Sequence, residues 1–493
     1  MVLLKLTREG ATPLHKQITD QIRSLIDQGS LPVGTVLPPT RRFAEQLGVN
    51  RTTVYRAYEE LWSLGYVEGR PGSYSRVRGR SPLAATRPST EGGLIAWDAR
   101  VSAGGADARR MFLGFSPEGT GRVKEAIDFS HLDMDHRFIP AEPFRRCVNA
   151  VLRREGTSLL CYGPRAGYQP LREYLARRLQ VHGIHVSADE IFISNGSQHG
   201  LDLLVRILAG PGKAVAVEAP TYAMMIPLLR LHGVEIIPIR MKQDGMDLDG
   251  LEETLTQRDV GFIYTMPNFQ NPTGVSTTQE HRERLLALCE QYRVPVVEDG
   301  FEEEMKYFGK VSLPIKSMDT HGVVIYLGTF SKILMPGLRV GWVAADRACI
   351  DHLVAVRRFA DLSPTVVLHA AVAEFCEQGL YDLHVRRLHR MYRKRMHVAL
   401  SAMREHLPRD LATWTEPSGG YLIWVELARC ALPASRAYDR IANSGVVVSP
   451  GPYYFVEPPA RPCFRLSIAT VDESRIEEGI ARLGRAIREI SAA

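Results

Sequence analysis

The sequence predicts an α/β chain in three parts: a small helical N-terminal unit that ends in a hairpin, a linker, and a large domain on a mostly parallel sheet. Three observations carry this. Residues 1–80 hold 12 Lys/Arg against 7 Asp/Glu, which is +5 of the chain's net +6. Residues 81–124 are rich in Ser, Pro, Gly and Ala and keep no sustained period, as a linker does. From about residue 125, short apolar or β-branched runs ("AVAVEAP", "EIIPIR", "VGFIYTMP", "PVVEDG", "VVIYLGTFS") alternate with helical stretches. That is the rhythm of strand–helix–strand units, with helices on both faces of a sheet.

The N-terminal elements follow in order. "TPLHKQITDQIRSLIDQG" spaces Leu14, Ile18, Ile22 and Ile26 four apart, an amphipathic helix closed by Gly29. After a Pro/Gly turn, Thr40 is placed to cap a short helix that runs to about Leu47 and stops at Gly48. Asn50 caps the next, "NRTTVYRAYEELWSLG". Two helices around a tight Gly-Val turn form a helix-turn-helix, and "YVEGRPGSYSRV" alternates about Arg-Pro-Gly as a hairpin wing would. Within the linker, Trp97, Met111 and Phe112 are the residues able to dock on a neighbour. After about residue 370 come long basic helices, then "GGYLIWVEL" and "CFRLSIAT", a smaller terminal α/β lobe.

Composition excludes several classes. At 493 residues the chain holds two to four units on a scale of roughly 100–200 residues each. Hydrophobic residues at 45% and charged at 24% are globular values. No apolar run approaches the roughly 20 residues needed to span a bilayer, and the apolar patch in "MVLLKLTREG" is too short for a signal peptide. The seven cysteines are scattered without paired spacing, so neither a disulfide framework nor a metal site is expected, and a reducing cytoplasm is.

The basic unit points to double-stranded DNA. The second helix of the motif presents Arg51, Thr52, Thr53, Tyr55 and Arg56 outward, with Val54, Ala57 and Leu61 inward. Arginine near the start of such a helix reaches guanine edges or phosphates. Arg41 and Arg42 suit the phosphate backbone, and Arg70, Arg76, Arg78 and Arg80, in and after the wing, add phosphate contacts. Residues 12–75 resemble the winged helix of GntR-type bacterial regulators along essentially their whole length. One departure is Pro39, where that family usually carries Ser.

In the large domain, polar residues recur just after predicted strands. "SNGSQHG" offers Gly196, Ser197 and Gln198 at a helix start, where backbone N–H groups and the helix dipole favour an anion. Tyr222 follows another strand, Asn271 sits in the Pro-supported turn "MPNFQNPTG", and Asp299 ends "VVED". "GTFSKILMPGLRVGW" sets Lys332 among Thr329, Ser331 and Arg339. Singly, each is as well explained by a cap, a turn or packing. Together they match the needs of pyridoxal 5′-phosphate: an amine, phosphate donors, a carboxylate at the ring nitrogen, a donor to the 3-oxygen and a stacking face.

The order of these motifs resembles the class I/II aminotransferases of pyridoxal-phosphate fold type I, over roughly residues 125–490. The resemblance implies that Lys332 carries the cofactor as a Schiff base, that Asp299 pairs with the pyridinium, that Asn271 donates to the 3-oxygen and that Tyr222 stacks on the ring. It assigns the phosphate to Gly196, Ser197, Gln198, Thr329, Ser331 and Arg339, joined by Tyr162 from a neighbouring subunit, and the effector carboxylate to Arg465. Related regulators carry a tyrosine two residues after the ring-nitrogen aspartate. Here Phe301 stands, which weighs against efficient turnover.

A GntR-type winged helix (1–80), a linker (81–124) and an aminotransferase-like domain (125–493) together resemble the MocR family of bacterial transcription factors. The implied function is a homodimeric regulator in which an amine or amino-acid effector, or the cofactor itself, acts at Lys332 and alters operator binding. Two alternatives stand beside it: a working aminotransferase with an accessory DNA-binding unit, and a DNA-binding protein whose large domain is an empty dimerisation shell.

Overall fold

The computed structural model describes residues 4–8, 12–69, 74–79, 95–115, 125–210, 212–301, 303–308 and 312–492. The chain forms two units, residues 1–100 and 101–493.

In the first unit, α1 (Leu14–Asp27), α2 (Thr40–Leu47) and α3 (Arg51–Ser63) pack around Ile18, Ile22, Phe43, Val54, Ala57 and Leu61, all fully buried. Strands β1 (Val67–Glu68) and β2 (Arg76–Val77) pair antiparallel, Val67 opposite Val77, and form the expected wing. Asn50 caps α3 as expected: its Oδ1 accepts the Thr52 N–H at 3.0 Å and the Thr52 hydroxyl at 2.9 Å. The other cap differs. Thr40 is the first residue of α2, and Pro39 holds the N-cap position without any side-chain hydrogen bond to the helix. The departure at Pro39 therefore leaves the α2 amides without a side-chain cap. Gly48 ends α2 at φ +63°, a conformation that favours glycine.

Helix α4 (Trp97–Arg100) ends the first unit, and α5 (Ala103–Phe115) opens the second. The span expected to be structureless thus carries two helices between residues 95 and 115. Gly104 and Gly105 lower helix propensity and hide the period, while packing restores the helix. A Cβ on Gly104 would lie 2.4 Å from the Leu231 carbonyl, so glycine is what lets α5 approach that closely. Met111 docks as anticipated, with Arg230 Nη1 3.8 Å from its sulfur, but Trp97 and Phe112 are exposed.

The second unit continues with α6 (Ala141–Glu155), α7 (Gln169–Gln180), α8 (Ser197–Leu208) and α9 (Met225–Leu231). Its strands are β3 (Ile127–Asp128), β4 (Ile191–Ser194), β5 (Ala214–Ala219), β6 (Glu235–Lys242), β7 (Gly245–Met246), β8 (Val260–Thr265), β9 (Val296–Asp299), β10 (Val324–Thr329) and β11 (Gly341–Ala344). Eight of these form one sheet in the order β4-β11-β10-β9-β8-β5-β6-β7. The five from β10 through β6 are mutually parallel and β11 runs against both its neighbours. Every residue of β4, β8, β9 and β10 is buried, as a sheet covered on both faces requires.

The terminal lobe adds β12 (Ala412–Trp414), β13 (Leu422–Leu427), β14 (Val446–Val447), β15 (Ser449–Pro450) and β16 (Cys463–Ser467). Four of them make an antiparallel sheet in the order β12-β13-β16-β15, and β14 pairs with β3. The long helix Leu380–His406 and the helix Glu473–Ala492 pack together, and one continuous hydrophobic cluster joins this lobe to the main sheet. No described helix is long and apolar enough to cross a membrane, all seven cysteines are unpaired, and no metal-ligand cluster occurs among the described residues.

The uncapped α2 gives a stability prediction. Pro39→Ser restores a side-chain acceptor to the α2 amides, and denaturant unfolding of the N-terminal unit should show a gain of about 1 kcal/mol. Asn50→Ala should lose about as much.

Candidate cofactor and DNA-binding sites

The exposed face of α3 carries the expected readers. Arg51, Thr52, Tyr55 and Arg56 are exposed and Thr53 is half-buried, while Val54, Ala57 and Leu61 are buried. The Thr52 hydroxyl already donates to the Asn50 cap, so it faces an incoming group as an acceptor. Arg41 and Arg42 are exposed in the first turn of α2, and Arg76 and Arg78 are exposed on the wing. Arg70 and Arg80 lie outside the described residues.

In the second unit the polar residues gather at the carboxyl edge of the parallel strands, where open α/β sheets bind ligands. Asp299 is the last residue of β9 and is 4% exposed. Its Oδ2 accepts the Tyr264 hydroxyl at 2.8 Å, whereas its Oδ1 is buried without a hydrogen-bond partner. Burial pushes the carboxyl up to about 6, against the opposing pull of the Tyr264 hydroxyl and the Phe301 amide. Tyr264 was missed in the sequence. It lies in the quoted run "VGFIYTMP", and a tyrosine in a fully buried strand is itself a signal, because its hydroxyl needs a partner.

The loop after β8 is braced by a second buried carboxylate, Glu218, whose partners are the Thr265 hydroxyl (2.5 Å), the Met266 amide (3.1 Å) and Gln270 Nε2 (3.0 Å). This loop carries Asn271, 2% exposed, whose Oδ1 accepts from Arg465 Nη1 at 3.0 Å. Arg465 lies in β16, 4% exposed, and its Nη2 donates to the Ser130 carbonyl at 2.7 Å. The guanidinium also lies over the Tyr454 ring, 5.3 Å from its centroid, and its Nε is buried without a partner. The two residues read separately in the sequence are thus bonded to each other.

Lys332 is half-buried just beyond β10, its Nζ 3.4 Å from the Leu132 carbonyl. Near it, Gly196 caps α8 at φ +80° and Ser197 is the first residue of that helix. Arg339 donates to the Ser331 hydroxyl and to the Asn195 carbonyl, both at 3.4 Å. A Cβ on Gly196 would lie 2.4 Å from Arg339 Nη2, so the glycine makes room for the guanidinium. Thr329 Oγ1 accepts the Ser331 amide at 3.1 Å, and Gln198 Oε1 is buried without a partner. Tyr222, half-buried, packs against the main core, and burial followed by the nearby Asp299 charge pushes its hydroxyl up to about 12. Tyr162 is not brought to this site within the chain, being 85% exposed.

This donor set fits a phosphorylated pyridine aldehyde. The unpartnered Asp299 oxygen suits a protonated ring nitrogen. The α8 N-terminus, Ser331 and Arg339 offer donors that would suit a dianion, and Lys332 would offer the amine.

The raised Asp299 carboxyl has a stability signature. The folded value of about 6 lies above the unfolded one of about 3.9. Its favourable contribution is therefore complete below about pH 4 and is lost as pH rises through 6. Unfolding of cofactor-free protein across this range should show Asp299→Asn gaining on the native sequence by up to about 3 kcal/mol.

Residues 14–77 match the family described as bacterial regulatory proteins, gntR family, and residues 132–483 match Aminotransferase class I and II. The probable rhizopine catabolism regulatory protein MocR of Rhizobium meliloti is 30% identical over 482 residues, 98% of this chain and 95% of that one. Aromatic-amino-acid aminotransferase 1 of Thermococcus litoralis is 35% identical over 356 residues, 71% of this chain and 85% of that one. Among solved structures, the α-aminoadipate aminotransferase LysN of Thermus thermophilus, complexed with N-(5′-phosphopyridoxyl)-L-leucine, matches with a TM-score of 0.71 and 32% identity, covering 81% of this chain and all of that one. Full-length likeness to a regulator and domain-length likeness to these enzymes agree with the geometry of both units. The chain belongs to the MocR family of transcription regulators, in which a GntR-type DNA-binding unit is joined to a pyridoxal-phosphate-dependent class I and II aminotransferase domain.

Proposed function

We propose that the aminotransferase-like domain of this regulator works as an amine sensor, with Lys332 as the amine that anchors the cofactor. The observation that carries this reading is the buried Asp299 carboxylate, with one oxygen held by Tyr264 and the other unpartnered, at the same sheet edge as Lys332. When bound, pyridoxal 5′-phosphate supplies an aldehyde that condenses with primary amines and a ring that draws electrons once its nitrogen is protonated.

Each residue has a separate task. Asp299 holds the ring-nitrogen proton. Arg465 occupies the Asn271 oxygen, which leaves the Asn271 amide N–H groups to face the 3-oxygen. Tyr222 stacks on the ring, and Gly196, Ser197, Gln198, Thr329, Ser331 and Arg339 hold the phosphate. Lys332 would hold the cofactor's aldehyde, which can take up an effector amine, and Arg465, now on the Ser130 carbonyl, would be the partner for that effector's carboxylate. Pyridoxal phosphate itself, through its own arrival, is the alternative signal. Phe301, 6% exposed, brings no hydroxyl to the 3-oxygen, which supports sensing over sustained amino-group transfer.

A second copy completes the site. Tyr162 is exposed together with Leu160, Phe359 and Leu362, an apolar face suited to a homodimer in which Tyr162 reaches the partner's phosphate. Paired DNA readers need paired half-sites, with α3 (Arg51, Thr52, Thr53, Tyr55, Arg56) in the major groove and Arg41, Arg42 and Arg70 on phosphates.

Helix α5 supports a route out of the site. The Tyr453 hydroxyl donates to the Gly114 carbonyl at 2.9 Å, and Arg230 reaches both Met111 and the Val456 carbonyl. Next to Tyr453, Tyr454 lies under Arg465, and its carbonyl accepts the Thr221 amide beside Tyr222. A shift of Arg465 or Tyr222 on effector binding would reach α5, which follows the DNA-binding unit in the chain. Such couplings are typically worth about 1–3 kcal/mol.

Operator binding titrated against a panel of amines and amino acids, with visible absorbance read in parallel, tests the reading. The native protein should change both signals with one class of amine. Lys332→Ala should bind operator and lose the response, and Tyr453→Phe should keep the spectral change while weakening the DNA response. A Lys332→Ala protein that responds normally contradicts the proposal.

A further inference from the structure

Asp361 lies at the C-cap of the helix Arg347–Ala360, outside the residues that face the cofactor, yet two parts of the site converge on its carboxylate. Oδ2 accepts Asn195 Nδ2 at 2.7 Å, and Asn195 is the residue between β4 and the Gly196 cap of α8. Oδ1 accepts Arg357 Nε at 3.1 Å. Arg357 is fully buried, packs on the Phe192 ring at 4.4 Å, and donates from Nη1 to the carbonyls of Ile193 (2.6 Å) and Arg165 (2.9 Å). The carboxylate and its arginine therefore grip β4 and the turn after it from two sides.

His199, in the first turn of α8, adds a third hold. The Asn195 amide donates to its Nδ1 at 3.1 Å, so the ring proton sits on Nε2, which is 3.8 Å from Asp361 Oδ2. Burial, with the Arg357 charge beside it, lowers the His199 value and favours this neutral form.

On its chain side, Asp361 leads directly to the segment that carries Tyr162. Its carbonyl accepts the Ser363 amide at 2.8 Å, and the Ser363 hydroxyl accepts the Gly163 amide at 3.0 Å. Gly163 is held so close to the helix Val366–Glu377 that a Cβ there would clash with Val366 Cγ2. The exposed Phe359, Leu362 and Tyr162 flank this connection.

We infer that Asp361 is a positioning residue that sets the phosphate-binding turn through its carboxylate on Asn195 and the Tyr162 segment through its backbone carbonyl on Ser363, so that phosphate binding and pairing of two chains are coupled through one residue. This rests on the reading that the turn at Gly196 receives the cofactor's phosphate. A role confined to neutralising Arg357 would need neither Asn195 nor Ser363.

Substituting Asp361 itself leaves Arg357 buried with an uncompensated charge, which endangers folding. The test therefore cuts the two links and spares the ion pair. Cofactor-stripped, full-length native protein and Asn195→Ala are titrated with pyridoxal 5′-phosphate and with pyridoxal, which lacks the phosphate. The native protein should prefer the phosphorylated form. In Asn195→Ala that preference should fall about tenfold or more, the loss expected for one charge-assisted hydrogen bond, with pyridoxal affinity kept within about twofold. An unchanged preference, or an equal loss for both ligands, overturns the inference. Absence of any preference in the native protein instead overturns the underlying assignment of the phosphate turn. In the native protein pyridoxal 5′-phosphate should tighten self-association, read by sedimentation, and Ser363→Ala should abolish that tightening; native-like tightening in the variant, or none in the native protein, overturns the second half.

Discussion

The desolvated carboxylate of Asp299 is the constraint on which the rest of the site depends. Held at the end of β9 in a fully covered sheet, it is removed from water while one of its oxygens stays without a donor. An arrangement of this kind is costly unless something cationic arrives, and Tyr264 answers only one side of it. The same carboxyl edge carries Lys332, Asn271 and the Gly196 turn. In the proposed reading, a phosphorylated pyridine at that edge would meet an amine, a 3-oxygen donor, an anion cradle and the waiting carboxylate together.

The bracing around these residues is denser than their number suggests. Glu218 holds the Asn271 loop, Arg465 ties that loop to the terminal lobe, and Arg357 with Asp361 ties the anion turn to a helix of the main lobe. Each tie uses a charge or a buried polar group, and each joins segments far apart in sequence. These ties span both lobes, which is what the proposed sensor would need.

Much of this was legible in the sequence, for physical reasons. Strands such as "VVIYLGTFS" are buried on both faces and read as unbroken apolar runs, so their polar ends stand out as binding positions. Lys332, Asp299 and Asn271 were read as strand-end residues that way and do lie there, and α3 was found from its Asn50 cap and its inward Val54, Ala57 and Leu61. What escaped notice depended on contacts between distant segments. Helix α5 was hidden by Gly104 and Gly105, whose lack of side chains disfavours an isolated helix but permits this packed one. Pro39 reads as a turn residue and proves to be an N-cap. Arg465 was assigned an effector carboxylate by resemblance, and its bonds to Asn271 and the Ser130 carbonyl, distant in sequence, were not legible. Tyr264 and Asp361 matter because of partners 35 and 166 residues away, a relation no local pattern carries.

The central claim is that this regulator holds its cofactor through one lysine at the carboxyl edge of its sheet. Borohydride reduction of purified holoprotein, followed by digestion and mass spectrometry, tests it most directly. A pyridoxyl-phosphate adduct on the peptide containing Lys332 is the predicted result. An unmodified Lys332 peptide, or an adduct confined to another lysine, would contradict the account.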